Sequence, residues 1–222
     1  MPLQALIFDM GDILFDASLW RRWLTVRLNE LGVSITYEQL VQAWEALLVD
    51  VYRGRADYWQ RFGQLLADQG LDPSAAAALT QEARDKGKAL AASRTLFDGV
   101  AQTLADLKAA GIKLAVLSDN ESGQAAVVRM LADLGVADCF DAVLSSRDLG
   151  HAKPDPRAFA AAVQAIGLTQ TACGFVGHDI DELTGAREAG LLAIGFNYHP
   201  EAPADRYIER FGDLLDVVKE QT

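Results

Sequence analysis

The sequence predicts an α/β protein in which a doubly wound parallel sheet is interrupted by an all-helical insert. The second half of the chain alternates short aliphatic runs with longer helical patterns, which is typical of strand–helix–strand units. Residues 16–94 instead show helical periodicity without a strand pattern. The length of 222 residues, half of them hydrophobic, is enough for one sheet domain with a sizeable core and a smaller insert.

Five short aliphatic runs are predicted to be buried parallel strands. Each run is too short for a core helix, and several are bounded by glycine or aspartate. The runs cover residues 3–8, 113–118, 142–146, 174–177 and 191–196. Helical patterns between them cover residues 100–110, 123–134, 156–166 and 182–189, and a last packing helix is predicted within residues 204–219.

The insert is predicted to be a helical domain of its own. Its helical patterns cover residues 19–31, 37–52, 57–68 and 73–92. A glycine (Gly32, Gly54 or Gly70) lies in each of the three segments between them. All four tryptophans of the chain lie in this region, and their spacing favours a packed helical core. We therefore expect a core domain of residues 1–15 and 95–222, and a helical domain of residues 16–94.

Composition narrows the classes of partner. The chain carries 31 acidic and 20 basic residues, for a formal net charge of -11, which argues against a nucleic-acid or anionic-membrane surface. Its two cysteines, Cys139 and Cys173, do not form a disulfide scaffold. We see neither a secretory signal nor an apolar run long enough for a membrane helix, so we expect a soluble, cytoplasmic protein.

Chemically active side chains follow four of the predicted strands. In an open parallel sheet, ligands bind beyond the carboxyl ends of the strands. A lysine and a serine hydroxyl hold phosphoryl oxygens, and carboxylates hold Mg²⁺. A carboxylate is also able to act as a nucleophile and form an aspartyl-phosphate. The residues at these strand ends are Asp9, Ser118, Asp119, Asn120, Lys153, His178, Asp179, Asp181 and Glu182.

Four motifs in this order resemble those of the haloacid dehalogenase-like hydrolase superfamily with a helical cap after the first strand. They are FDMGDILFD, LAVLSDN, GHAKPDPRAF and VGHDIDELTGAREAG, and the resemblance covers the whole chain. It implies that Asp9 is the catalytic nucleophile and that Ser118 and Lys153 hold the phosphate, with Asp119 and Asn120 beside them. It also implies Mg²⁺ next to Asp9, and it makes residues 16–94 the cap domain.

Three positions depart from the family pattern. Phosphatases of the family usually carry a second aspartate two residues after the nucleophile, as the general acid and base, but this chain has Gly11 there. The carbonyl of Gly11 is still a metal ligand in the family pattern. His178 replaces the usual acidic residue, and an imidazole suits transition metals better than Mg²⁺. The implied ligands are Asp9, Gly11, His178 and Asp179, with Glu182 outside the direct ligand set.

These features predict a phosphatase-like hydrolase that acts on a small phosphorylated molecule through Asp9. Two alternatives stay open: an impaired family member that binds a ligand without turnover, and a metal-independent dehalogenase-type hydrolase. Gly11 motivates both, and His178 motivates the first. Arg53 and Arg55 flank a glycine between two predicted helices, where they either meet the substrate or form plain surface. The sequence leaves the substrate, the metal and the oligomeric state open.

Overall fold

A computed structural model describes residues 2–221 and has one parallel sheet at its centre. The sheet has six strands in the order β3-β2-β1-β4-β5-β6, and every neighbouring pair is parallel. This order confirms the doubly wound sheet. The strands are β1 (Ala5–Phe8), β2 (Lys113–Ser118), β3 (Ala142–Ser145), β4 (Cys173–Gly177), β5 (Leu192–Phe196) and β6 (Arg206–Ile208).

Ten α-helices surround or extend this sheet within the described residues. Four of them lie between β1 and β2: α1 (Ser18–Glu30), α2 (Tyr37–Tyr52), α3 (Tyr58–Asp68) and α4 (Pro73–Ala92). The others are α5 (Val100–Ala109), α6 (Gln124–Asp133), α7 (Ser146–Leu149), α8 (Pro156–Ala165), α9 (Ile180–Glu188) and α10 (Leu214–Glu220). The all-helical insert predicted from the sequence is thereby confirmed, and we call the four helices α1–α4 the cap.

Alternating residues of each strand pack into two separate cores, one on each face of the sheet. On β1, Leu6 and Phe8 join the core formed with α5, α6 and α10. Ala5 and Ile7 of the same strand point to the other core, which contains α8 and α9. Because both faces are covered, the strands read as continuous apolar runs in the sequence. The sheet is therefore a rigid base for the loops at its carboxyl edge.

The cap has a third core of its own, built around the tryptophans. Trp44 is buried, and Trp20, Trp23 and Trp59 pack against the same cluster. The indole N–H of Trp20 donates to the carbonyl of Ala83 in α4, so the ring is tied to a second helix. The structure thus agrees with the prediction that these aromatic residues form a helix-packing core.

The C-terminal region differs from the prediction of one helix within residues 204–219. It forms β6 and then, after a short 3-10 turn, the seven-residue helix α10. Strand β6 pairs with β5 at the sheet edge, and only Ile208 of its three residues is buried. Such a short edge strand has almost no alternating pattern, and the apolar residues around it happen to match helical spacing. The prediction was therefore wrong for this segment.

Within residues 2–221, none of the helices combines the length and the apolar composition that a membrane crossing requires. The expected cytoplasmic location stays a prediction.

Candidate active site

The site lies at the carboxyl edge of the sheet, where the strand order reverses direction. The chain runs from β1 outward to β2 and β3, and then returns to the other side of β1 to form β4. Crevices at such a switch point are the usual ligand sites of doubly wound folds. Asp9 follows β1 directly, and its backbone N–H donates to the carbonyl of Val176 in β4 at 2.9 Å. His178 follows β4, so these two side chains start from adjacent strands.

Lys153 is the centre of a buried charged cluster. Its Nζ lies 2.5 Å from Asp9 Oδ1 and 2.6 Å from Glu182 Oε1, and its side chain is fully buried. Burial alone would lower the pKa of Lys153, but the negative charges of Asp9 and Glu182 raise it well above its usual value. The ammonium therefore stays charged and holds the Asp9 side chain in place.

Glu182 is the second acid of this cluster. Burial and the nearby charge of Asp9 raise its pKa well above the usual value, although Lys153 opposes the shift. Its Oε2 atom is buried and has no hydrogen-bond partner among residues 2–221. Gly177 makes room for this carboxyl, because a Cβ at that position would lie 3.2 Å from Glu182 Oε2 and 2.5 Å from the Phe175 ring. An unpartnered buried oxygen of this kind indicates space for a further cation or ligand.

Three side chains of the cluster have the arrangement of a cation site. Asp9, His178 and Glu182 each offer one ligand atom, and these atoms lie within 4.8 Å of one another. The Nε2 atom of His178 is 3.9 Å from Asp9 Oδ2. The two carboxylates suit Mg²⁺, whereas the imidazole suits a transition metal. The donor set therefore fits a divalent cation, with one ligand that is unusual for magnesium.

Asp179 and Glu182, two acids of the fourth motif, make different contacts in the structure. Asp179 is the N-cap of α9, and its Oδ1 accepts a hydrogen bond from the Glu182 N–H at 2.7 Å. This bond uses one oxygen of the carboxylate that was predicted as a ligand, and the helix turn brings Glu182 to the cluster as well. The roles of Asp179, of Glu182 and of the Gly11 carbonyl in metal binding stay predictions.

Ser118, Asp119 and Asn120 follow β2 and form the wall next to Lys153. Ser118 is buried, and Asp119 Oδ1 accepts a hydrogen bond from the Lys153 backbone N–H at 3.3 Å. Asn120 Oδ1 accepts from the Ser122 N–H at 2.7 Å, so part of its amide stabilises the local turn. The structure therefore brings Ser118 and Asp119 together with Asp9 and Lys153, while Asn120 is held partly by its own loop.

Gly11 and Asp12 both have structural roles in the loop after Asp9. A Cβ at Gly11 would lie 3.1 Å from Ala17 Cβ, which is closer than an ordinary contact. Asp12 has a left-handed backbone, with φ of 58°. Its carboxylate accepts from the Ala17 N–H at 2.8 Å and pairs with Arg21 of α1 at 2.7 Å. Asp12 therefore fixes the start of the cap and is not a substitute for an acid at position 11.

A cavity of about 460 Å³ lies between this edge of the sheet and the cap. Its sheet side contains the charged cluster, and its cap side is formed mainly by one face of α2. The cap residues that line it are Ala17, Arg21, Glu45, Val49, Tyr52 and Arg53. A second cavity, of about 680 Å³, is lined by Phe97, Phe196 and Phe211 among others and contains none of the predicted site residues.

Most of these cap residues were not predicted from the sequence. Glu45, Val49 and Tyr52 are spaced by four and three residues, which places them on one side of a helix. Trp44, Leu48 and Val51 form the buried side of the same helix. The signal was therefore present as the face of α2 next to its apolar stripe, one residue further around the helix. Of the two arginines that flank Gly54, Arg53 lines the cavity, whereas Arg55 is exposed and lies outside the cavity lining.

Comparison with known proteins agrees with the geometry of the site. A sequence model described as haloacid dehalogenase-like hydrolase matches residues 3–190, which is most of the chain. The chain belongs to this family. The resemblance noted from the four motifs is thereby confirmed, together with the Rossmann-like core and inserted cap that it implies.

Two phosphatases and one dehalogenase illustrate the range of similar family members. Phosphoglycolate phosphatase of Pectobacterium atrosepticum is 28% identical over 229 aligned residues, covering 97% of this chain and 92% of that protein. Phosphoglycolate phosphatase of Caulobacter vibrioides is 34% identical over 164 residues, covering 71% of this chain and 67% of that protein. The structure of a 2-haloacid dehalogenase from Pseudomonas syringae has a TM-score of 0.65 and 25% identity, with coverage of 99% and 100%.

Proposed function

We propose that this family member is a phosphatase that hydrolyses a small phosphate ester through an aspartyl-phosphate on Asp9. The observation that carries the proposal is the buried cluster in which Lys153 Nζ bonds to Asp9 at 2.5 Å and to Glu182 at 2.6 Å. The cluster opens into the cavity under the cap, beside Ser118. An anchored carboxylate, a buried cation and a hydroxyl supply the nucleophile and two groups that hold phosphoryl oxygens.

Asp9 and Lys153 divide the work of the first step. The Asp9 carboxylate attacks phosphorus, and the bond from phosphorus to the ester oxygen breaks. Lys153 and Ser118 hold the phosphoryl oxygens while their negative charge is redistributed. Because Asp9 is buried and bonded to Lys153, its side chain is already held in place and needs no reorientation. Water then cleaves the aspartyl-phosphate and releases inorganic phosphate and free Asp9.

We propose Mg²⁺ or a related divalent ion as the cofactor. Asp9, His178 and Glu182 are the residues that would hold it, and its charge would offset that of the phosphoryl oxygens. The orphaned Oε2 atom of Glu182 supports this assignment, since a cation would satisfy it. The imidazole of His178 favours a test of Mn²⁺ and Co²⁺ beside Mg²⁺.

The size of the cavity supports a small substrate. Its volume of about 460 Å³ is in the range of sites for metabolites, and the cap encloses it on the side away from the sheet. Two of the cap residues that line this cavity are the arginines Arg21 and Arg53, which suit an anionic or polar group on the substrate. The two similar phosphatases also act on a small phosphate ester by name, phosphoglycolate.

A dehalogenase is the second candidate. Gly11 removes the acid that a phosphatase of this family usually has, and the similar Pseudomonas syringae structure is a 2-haloacid dehalogenase. A carbon–halogen bond needs no proton on its leaving group, so Asp9 and Lys153 alone would serve that reaction. A third reading, an impaired member that binds a phosphorylated ligand without turnover, rests on Gly11 together with His178.

One activity screen separates these three functions. Purified protein is assayed for phosphate release from a broad panel of phosphate esters with Mg²⁺, Mn²⁺ or Co²⁺, and for halide release from 2-haloacids. We expect phosphate release that disappears in the Asp9→Asn variant. Halide release alone would assign the dehalogenase function. Thermal stabilisation by phosphate esters without turnover of any substrate would assign the binding function, and either result would refute the phosphatase.

A further inference from the structure

The proposed reaction needs a proton donor that position 11 does not supply. The ester oxygen that leaves phosphorus becomes an alkoxide unless a proton reaches it, and a positioned acid is worth about 10²–10⁴ in rate. Gly11 has no side chain, and the close approach of Ala17 leaves little room for one. The donor has to be another group that lines the cavity and is not already committed to a structural contact.

Contacts exclude two of the carboxyl groups in the cavity wall. Both oxygens of Asp12 are engaged, one by the Ala17 N–H and one by Arg21. Asp179 caps α9 through the Glu182 N–H at 2.7 Å, and the family resemblance assigns it to the cation site next to His178. A carboxylate whose oxygens are committed to hydrogen bonds, an ion pair or a cation has none left to carry a proton to the substrate.

Position excludes three further acids. Asp181 is exposed on α9. Burial raises the pKa of Glu45 on the cap, but the charges that act on it most are those of Asp179, Arg21 and His178 and not those of Asp9 and Lys153. Glu121 faces two cations, Arg94 and Arg147, and its backbone carbonyl accepts from the guanidinium of Arg147. The cations that act on Glu121 are therefore these two arginines and not Lys153.

Asp9 is the proposed nucleophile and Glu182 a proposed cation ligand, so Asp119 is the carboxyl of the wall that has no role yet, and it lies next to the phosphate-holding groups. It follows Ser118 directly, and its Oδ1 accepts a hydrogen bond from the Lys153 N–H. Asp119 lines the same cavity as Asp9, Gly11 and Lys153. Within residues 2–221, no group donates a hydrogen bond to Oδ2 of Asp119. One oxygen is thus anchored, and the other is available to the cavity.

The groups around Asp119 keep both of its protonation states accessible near neutral pH. Burial, opposed by the charge of Lys153 and supported by the charges of Asp9 and Asp179, raises the pKa of Asp119 to about 6. Glu182 and the Tyr52 phenol of the cap also face it. A general acid works best when its pKa is close to the working pH.

We propose that Asp119 is the general acid and base of this enzyme and takes the role that an acid at position 11 has in related phosphatases. The inference rests on the phosphatase proposed above. It assigns a catalytic function to a side chain of the β2 loop, one strand away from the nucleophile.

Both half-reactions balance with Asp119 as the proton carrier. In the first, Asp9 forms a bond to phosphorus, the ester bond breaks, and the leaving oxygen takes the proton of Asp119 to become an alcohol. In the second, water attacks phosphorus and gives a proton to the Asp119 carboxylate, and the bond from Asp9 to phosphorus breaks. The sum is ester plus water to alcohol plus phosphate, with Asp9 ionised and Asp119 protonated again.

The Asp119→Asn variant tests this role with the structural contact preserved, because an amide oxygen still accepts the Lys153 N–H. We compare kcat/KM for an alkyl phosphate and for an aryl phosphate whose phenol leaves without help. We expect a loss of about 10²–10⁴ on the alkyl ester and a much smaller loss on the aryl ester. With the aryl ester, we also expect a burst of phenol, since the second half-reaction loses its base.

The pH profile supplies a readout that does not depend on the variant. Wild-type kcat/KM for the alkyl ester should fall as pH rises through about 6, as Asp119 loses its proton, relative to the aryl ester measured in parallel. Each rate constant is corrected for the ionisation of its own substrate, because the second pKa of an aryl phosphate is lower than that of an alkyl phosphate. Thermal unfolding of Asp119→Asn shows whether the variant is folded.

Glu121→Gln is the matched control, since it neutralises a neighbouring acid whose pKa is also raised by burial. We expect it to keep the wild-type ratio of alkyl to aryl activity. An active wild type with an unchanged ratio in folded Asp119→Asn would overturn this inference and leave the phosphatase intact. A Glu121→Gln variant that instead loses alkyl activity relative to aryl activity would also overturn it. A wild type that releases no phosphate from any ester would overturn both proposals.

Discussion

The two walls of the cavity hold their polar groups in opposite ways. On the sheet side, the buried Lys153 bonds to Asp9 at 2.5 Å and to Glu182 at 2.6 Å, and both acids are buried as well. On the cap side, Arg21 is paired with Asp12 at 2.7 Å, but Glu45 is exposed and Arg53 makes no ion pair with any residue between 2 and 221. Groups that are fixed before the substrate arrives suit chemistry, whereas loosely held groups suit contacts that differ between substrates. We infer that the sheet side sets the reaction and the cap side sets the substrate.

Replacement of the nucleophile should have the largest effect. In Asp9→Asn the amide cannot attack phosphorus, and we expect kcat to fall by about 10⁴-fold or more, as for other essential nucleophiles. Activity on the ester that the wild type turns over best is the measurement, and binding of inorganic phosphate is the control. A variant that retained a tenth of the activity would show that the reaction does not pass through Asp9.

The tight packing of the sheet side predicts a strong response to a single methyl group. In Gly177→Ala the new Cβ would lie 2.5 Å from Phe175 and 3.2 Å from Glu182, so we expect a loss of about 1–3 kcal/mol in unfolding free energy. Gly63→Ala in cap helix α3 is the matched control, because no atom lies within 4 Å of its new Cβ. That substitution should stabilise the protein by about 0.5–1 kcal/mol. Chemical denaturation measures both, and equal effects would contradict the difference between the two walls.

The raised pKa of Glu182 predicts a pH-dependent stability. An acid whose pKa is higher in the folded than in the unfolded protein contributes stability below its unfolded value, and this is lost as pH rises through the folded pKa. Glu182→Gln removes that titration. We therefore expect its unfolding free energy to increase relative to wild type as pH rises above about 4.5, the usual value for glutamate.

Exposed Glu188 at the end of the same helix gives the control, Glu188→Gln, for which no such trend is expected. Denaturant unfolding between pH 5 and pH 8 checks both variants. A difference between Glu182→Gln and wild type that stays constant with pH would mean that Lys153 fully offsets the burial of this acid.

The sequence predicted the sheet side far better than the cap side, for a physical reason. Strand ends converge on one edge in every parallel sheet, so Asp9, Ser118 and Lys153 were predictable from their order along the chain. Which of Asp179 and Glu182 reaches Lys153 depended on which of them caps α9, and this is decided by local backbone geometry. The cavity face of α2 depended on how the cap is oriented over the sheet, which helical periodicity alone does not define. Strand β6 was missed because three edge residues carry too little pattern.

The smallest expected effect concerns the two arginines beside Gly54. Arg53 lines the cavity and Arg55 does not, although they are two residues apart. In Arg53→Ala we expect KM to rise by about 3- to 10-fold, since an exposed charged contact is worth about 1 kcal/mol, while kcat changes little. Arg55→Ala should leave both constants unchanged. Steady-state kinetics on two esters of different size separates the roles, because contacts that define the substrate should affect one ester more than the other. A fall in kcat with unchanged KM would instead place Arg53 among the groups that act in the chemical step, and the cap would then share the role that we assign to the sheet side.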